Sequence, residues 1–378
     1  MIVWVIAGLL GMATGLRIGW ALVNQQSVVS GAMIVALGNL AVVAALNWPP
    51  LTLLVNTALR WPNISMALSQ VALVMSAAGS CVMITSVAAT RGSAVTHRVA
   101  VAQYVLAGVI AAVTLFLFFN DGRKPEMSPA EYLAHNVGSP GESLDWLVPL
   151  LYVLLALTVV AWVGMRLSSA SRRGRALLLF TAGMALILAA SAFFATRALG
   201  RGPLIGVGTA LALLLCAMAV VAAGALLPTV EDWIGARREL RLIEPLRREM
   251  DARHPDVGIG VRPRGPLVFQ VAERLSLISD ALYLEGARAQ RLLPTAGEGP
   301  RLPAGVSAAE QARAVAAWIR AGRDAGATAF PGRSWLRQPP ECSDREWILE
   351  IARQYRALTK PSSHSRDVAG TAAGSTSG

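Results

Sequence analysis

Two long stretches of this chain have no carboxylate: residues 1–120 and 146–230 contain neither Asp nor Glu. Of the 23 acidic residues, five lie between Asp121 and Asp145, and the other eighteen follow from Glu231 onward. Intramembrane carboxylates are the usual proton relays of pumps and carriers, so their absence argues against proton-coupled transport. Lysine is almost missing too, with Lys124 and Lys360 the only two among 34 basic residues. The seventh apolar run therefore has no amine for a retinal Schiff base. Cysteine is limited to Cys81, Cys216 and Cys342, with no CxxC pair, which excludes a disulfide framework or a sequence-encoded zinc site. GxSxG, HExxH, P-loop and GxGxxG patterns are absent, as is an aspartate cluster to hold magnesium. We expect no enzymatic activity and no cofactor.

What is abundant is apolar sequence: 54% of the 378 residues are hydrophobic and only 15% are charged, against about 25% in soluble domains. Seven runs are long enough to span a bilayer, roughly 2–23, 28–47, 64–89, 98–119, 146–167, 175–197 and 204–228. The segment LTLLVNTAL at 51–59 is apolar but too short, and Pro49, Pro50 and Pro62 bracket it, so it reads as a re-entrant or interfacial piece. The first run, MIVWVIAGLL, has no positive segment ahead of it and is expected to be retained as a span. The expected fold class is all-α: a polytopic seven-helix transmembrane bundle over 1–228, a small cytoplasmic helical domain over 229–360, and a disordered tail over 361–378.

Basic loop residues set orientation. With the N-terminus outside, inner loops carry Arg17, Arg91, Arg98, Arg166, Arg172, Arg173 and Arg175, while outer loops carry Arg60, Arg123, Lys124, Arg197 and Arg201. Seven against five favours N-terminus outside and C-terminus cytoplasmic, in the cell (plasma) membrane. Trp4, Trp48, Trp61 and Trp146 fall at proposed outer ends, where amphipathic rings prefer to sit. The net charge of +11 is no nucleic-acid signal, because after residue 228 the signs are intermixed. The bilayer is the expected partner, together with a cytoplasmic protein for residues 229–360.

Within the spans, Gly8, Gly11, Gly15 and Gly19 form one small-residue stripe at about 100° per residue, which would suit close approach by another helix. Arg17 falls almost opposite and is expected to snorkel to the headgroups, or else to face the bundle. Asn39, Gln70, Gln103 and Tyr104 are the candidates for a polar cavity or interhelical contacts. In the loop after the fourth span, Ser128-Pro129-Ala130-Glu131 is a capping box that predicts a short helix. Glu131 and His135 share a face of that helix and are the candidate outer-loop ligand site, although two ligands are too few for a closed zinc site.

After Leu227, Thr229 and Asp232 are expected to cap a helix that Pro245 kinks or breaks. It would lie against anionic headgroups or pack on its own domain. A helix from Leu267 keeps Val268, Val271, Leu275, Ile278 and Leu282 on one side. Capping boxes at Ser307–Glu310 and Ser343–Glu346 open two more helices.

The seven apolar runs followed by LRLIEPLRREMDARHP and RLSLISDALYLEG resemble an actinobacterial family of seven-helix integral membrane proteins of unknown function with a C-terminal cytoplasmic helical domain. Pro245-Leu246, His254-Pro255 and the run from Arg274 to Asp280 carry the likeness. The family pattern has tryptophan where this chain has Arg247, and is richer in Arg and Glu where it has Ser276 and Ser279. The family is usually labelled as transporters, so the resemblance implies small-solute transport. The residues themselves favour a sensor or scaffold, because no coupling carboxylate lies in the spans.

Overall fold

The computed structural model describes residues 2–23, 27–88, 93–137, 143–169, 171–199, 206–257, 267–291, 302–303, 305–322 and 330–359. The expected disordered tail, 361–378, lies outside them. Among the described residues the fold is all-α. The helices are α1 (Ile2–Val23), α2 (Val28–Leu46), α3 (Pro49–Leu59), α4 (Ile64–Ala88), α5 (Ser93–Asn120), α6 (Pro129–Asn136), α7 (Ser143–Leu167), α8 (Arg172–Ala198), α9 (Val207–Arg253), α10 (Leu267–Arg291), α11 (Ala308–Ala321), α12 (Arg333–Leu336) and α13 (Asp344–Thr359). Seven of them, α1, α2, α4, α5, α7, α8 and α9, are long and apolar enough to cross a bilayer. The protein is an integral, multi-pass membrane protein. At 1.5 Å per residue α3 is about 16 Å long, half a hydrocarbon core, so it does not span.

The chain divides into two compact units, Met1–Pro228 and Thr229–Gly378. In the first, α4 is the central helix, packed against α2, α5 and α7. Close approach depends on single glycines. A Cβ on Gly79 would lie 2.8 Å from both Ala32 O and Ala36 N of α2. On Gly183 it would meet Val221 of α9, and on Gly224 it would sit 2.7 Å from Phe180 N of α8. In lipid there is no hydrophobic drive between helices, so backbone proximity at small residues supplies the dispersion contact instead.

In the second unit the apolar faces of four helices meet. Ile243, Leu246 and Met250 of α9 are essentially fully buried, with Val271, Ile278, Val315, Ile319 and Ile351 beside them. Val268, expected on the buried side of α10, is 45% exposed. Both predicted capping boxes form: Ser307 with Glu310, and Ser343 with Glu346.

The expected helix start at Thr229 and break at Pro245 do not occur, because α9 runs from Val207 to Arg253 through Pro228 and Pro245. A proline in a helix interior costs about 3 kcal/mol. Burying Ile243, Leu246 and Met250 returns about 1.5–3 kcal/mol each, which outweighs that cost. The carbonyl that Pro245 leaves without a helical donor belongs to Arg241, an exposed residue, so water can reach it. The same apolar residues show that these turns of α9 pack on their own domain.

Several charged groups in this unit are paired. Arg253 bonds Glu249 at 2.7 Å, Glu285 of α10 at 3.2 Å and the Ile319 carbonyl of α11. The second oxygen of Glu285 contacts His254 Nε2 at 2.7 Å. Arg247 bridges Glu244 and Asp251 along its own helix.

Candidate functional site

The end of the bundle where α2 stops and α4 begins is covered by two short helices and the loop between α5 and α6. Polar residues in this loop region are used for backbone anchoring. Thr52 donates its hydroxyl to the Leu46 carbonyl at 2.6 Å, closing the turn from α2 into α3. Arg60 and Asn63 both take positive φ, 53° and 58°, where Asn is among the better-tolerated side chains. Asn63 is buried, donates to the Pro125 carbonyl at 2.8 Å and accepts from Met127 N at 3.0 Å. Asn56 donates to Glu126 Oε1 at 3.1 Å and accepts from Ser65 N at 3.1 Å. Arg123 stacks over Trp61, 4.7 Å from its centroid, and Trp61 meets Phe119 edge-on. The loop is thereby tied to α3 and the start of α4.

Helix α6 forms as predicted, with Ser128 and Glu131 completing their capping box. The Ser128 hydrogen bonds hold the Glu131 carboxyl below its ordinary pKa. Its C-terminal carbonyls are met by Arg197 of α8, which donates Nη2 to Ala134 O at 2.9 Å and Nε to Val137 O at 3.0 Å. The apolar underside of α6, Tyr132 and Leu133, packs with Met66, Trp146, Leu150, Phe193 and Phe194.

Beneath Leu133 lies a cavity of about 70 Å³, with contributions from α2, α4, α7, α8 and α9. Val43, Leu73, Val153 and Leu214 make it apolar, and Asn47, Ser69, Gln70 and Ser191 are its hydroxyl and amide groups. Among the described residues no acidic or basic side chain lines it. Asn47 Nδ2 is engaged by Val43 O at 2.8 Å and by Ser69 Oγ at 3.3 Å. Gln70 and Ser191 make no side-chain hydrogen bond to another described residue, although Ser191 is only 2% exposed.

The residues singled out from sequence go to different places. Gln70 lines the cavity. Asn39 turns back on its own helix, donating to Val35 O at 2.8 Å. Gln103 donates to the Tyr152 hydroxyl at 2.9 Å, joining α5 to α7, while the neighbouring Tyr104 hydroxyl is buried without a partner among the described residues. Arg17 is half-buried on the face of α1 that also carries Ile6, Leu10 and Ala13, the face turned to the bundle. Gly8, Gly11, Gly15 and Gly19 are exposed, and a Cβ on any of them would meet nothing within 4 Å. Within this chain, the close approaches expected of that stripe are made by Gly79, Gly183 and Gly224 instead. Glu131 is engaged by Ser128, and His135 stands exposed on the same short helix. Among the described residues no three His, Cys, Asp or Glu side chains gather as a metal site.

Sequence reasoning missed Asn47, Ser69 and Ser191 in the cavity, and Asn56 and Asn63 above it. A polar residue inside the apolar LTLLVNTAL and an Asn directly after Pro62 were the available signals for the last two. No protein-family model matches the chain, and neither do the curated proteins or the solved structures with which it was compared.

Proposed function

We propose that the protein is a membrane sensor or scaffold, in which the state of the capped cavity biases the helical domain that follows. The reading places the N-terminus and the α6 cap outside the cell membrane. Residues 229–360 then lie in the cytoplasm, available to a protein partner. The observation that carries it is the composition of α9. Leu211 and Leu214 of this helix line the cavity, and its later residues Ile243, Leu246 and Met250 build the core of the second unit. A helix that belongs to both cores is a physical route for coupling, because packed cores switch between discrete arrangements rather than deform continuously. The described lining of the cavity also offers no carboxylate or imidazole to couple a solute to a proton gradient. The proposal includes no catalytic step.

The test uses the full chain in lipid vesicles. Ser191→Phe, which fills the cavity, is compared with wild type by hydrogen exchange across α10, α11 and α13. A changed exchange pattern there, with no solute flux into the vesicles, is expected. Unchanged exchange removes the sensor reading. Saturable solute uptake by the wild type replaces it with transport, as the resembled family's label implies.

A further inference from the structure

The cavity beneath Leu133 carries information about what it holds; the inference rests on the sensor reading of that site and specifies its ligand. Its lining has no charged side chain, and placing an ion there without a counter-charge would be strongly unfavourable. The occupant is therefore neutral. Two of its polar groups, the Ser191 hydroxyl and the Gln70 amide, are left without a protein partner among the described residues, while Asn47 and Ser69 bond to each other. Ser191 is 2% exposed, so its hydroxyl faces the cavity or nothing. The buried Ser191 hydroxyl and the half-buried Gln70 amide offer both donors and acceptors, and one alcohol group, with one donor and two lone pairs, matches them.

Size and depth narrow the class. A cavity of about 150 Å³ accepts benzene, so one of about 70 Å³ admits only the end of a larger molecule. Gln70 is six residues into α4 and Ser191 seven from the end of α8, which puts both about 10 Å from their helix ends. That depth is below the headgroups, where a membrane-soluble molecule arrives more readily than a water-soluble one.

We propose that this cavity binds the hydroxyl end of a neutral, long-chain alcohol drawn from the membrane. Ser191 and Gln70 are its hydrogen-bond partners, and Leu73, Val153 and Leu214 surround its first carbons.

The experiment photolyses the full chain, in phosphatidylcholine vesicles, with an octanol carrying a diazirine near its hydroxyl end, and maps the adducts by mass spectrometry. Adducts are expected on Leu73, Val153, Leu214 or Trp146, and 1-octanol is expected to displace them at least tenfold better than octane or octanoate. Competition by dioleoylglycerol identifies a bilayer lipid as the source, and competition by octanol alone identifies a free alcohol; both support the class. Ser191→Ala and Gln70→Leu should each cut the competable labelling several-fold. Labelling confined to outward-facing residues such as Val105 and Leu155, or octane competing as well as octanol, or no competable adduct because the cavity holds only water, overturns the proposal. Labelling that stands while α10–α13 exchange is unmoved removes the sensor reading and leaves the ligand class intact.

Discussion

The side-chain amide of Asn63 donates to the Pro125 carbonyl at 2.8 Å, joining two loops that are 62 residues apart in sequence. Asn63 also accepts from Met127 N at 3.0 Å, so one buried side chain fixes three consecutive residues of the segment leading into α6. The lid over the cavity is thus positioned by an asparagine whose own backbone sits at φ 58°.

Asn63→Ala removes both bonds and puts a Cβ-bearing residue without Asn's local compensation in the left-handed region. Pro125 is exposed and Met127 half-buried, so water can replace part of each bond and the loss is about 0.5–1.5 kcal/mol apiece. The expected outcome is faster hydrogen exchange over 121–137, with α4 and α7 little changed. Asn63→Gly, which relieves the backbone but not the lost bonds, should recover only a small part of the protection.

Gly79→Leu should destabilise the bundle by more than the roughly 1–3 kcal/mol of ordinary overpacking, because the atoms it meets are backbone of α2, not movable side chains. Gly15→Leu should leave the thermal midpoint in detergent nearly unchanged, since nothing lies within 4 Å of its Cβ position. A Gly15→Leu chain that is folded but altered in size on gel filtration would show that the stripe contacts another molecule.

Glu285 is 7% exposed and lies against both Arg253 and His254. Arg253 keeps Glu249 and the Ile319 carbonyl when Glu285 is lost, so the cost falls below the roughly 3–5 kcal/mol of a wholly uncompensated buried charge. Glu285→Ala should therefore lower the denaturant midpoint of the second unit, read as exchange of α10 and α11. Glu285→Gln, which still offers a hydrogen bond, should lose less.

Acid should loosen the second unit through Glu244. The Arg247 hydrogen bonds, with those of Arg248, hold its pKa down to about 2 from an ordinary 4.5. A depressed folded-state pKa means that stabilisation is present above the ordinary value and is lost as pH falls from about 4.5 toward 2. Glu244→Gln should flatten that part of the pH–stability profile, and the gap between the two profiles should close at the acid end.

Length and apolarity located the spans, since a bilayer demands about 20 apolar residues whatever their packing. They could not tell which face of a span is buried, because lipid and protein interior are equally apolar and no polar face marks the outside. The stripe on α1 and Gly79 on α4 look alike in sequence, yet one faces outward and the other touches backbone. Local rules also misled at Thr229 and Pro245, where the burial of Leu246 and Met250 some distance along the helix decides the outcome. In the second unit, Trp347, Ile348, Ile351 and Tyr355 of α13 lie buried at helical spacing, with Leu358 of the same stripe partly buried. The cavity was legible only at Gln70, because which helices bring Asn47, Ser69 and Ser191 beside it depends on tertiary packing.

The proposed sensor reading depends on the α6 cap and the second unit facing opposite sides of the membrane. A membrane-impermeant maleimide applied to intact cells tests this directly, using Ala130→Cys on the exposed surface of α6 and the native Cys342 in the second unit. The account predicts that Cys at 130 is labelled from outside and that Cys342 reacts only after the membrane is opened. Labelling of both sites from the same side would contradict it.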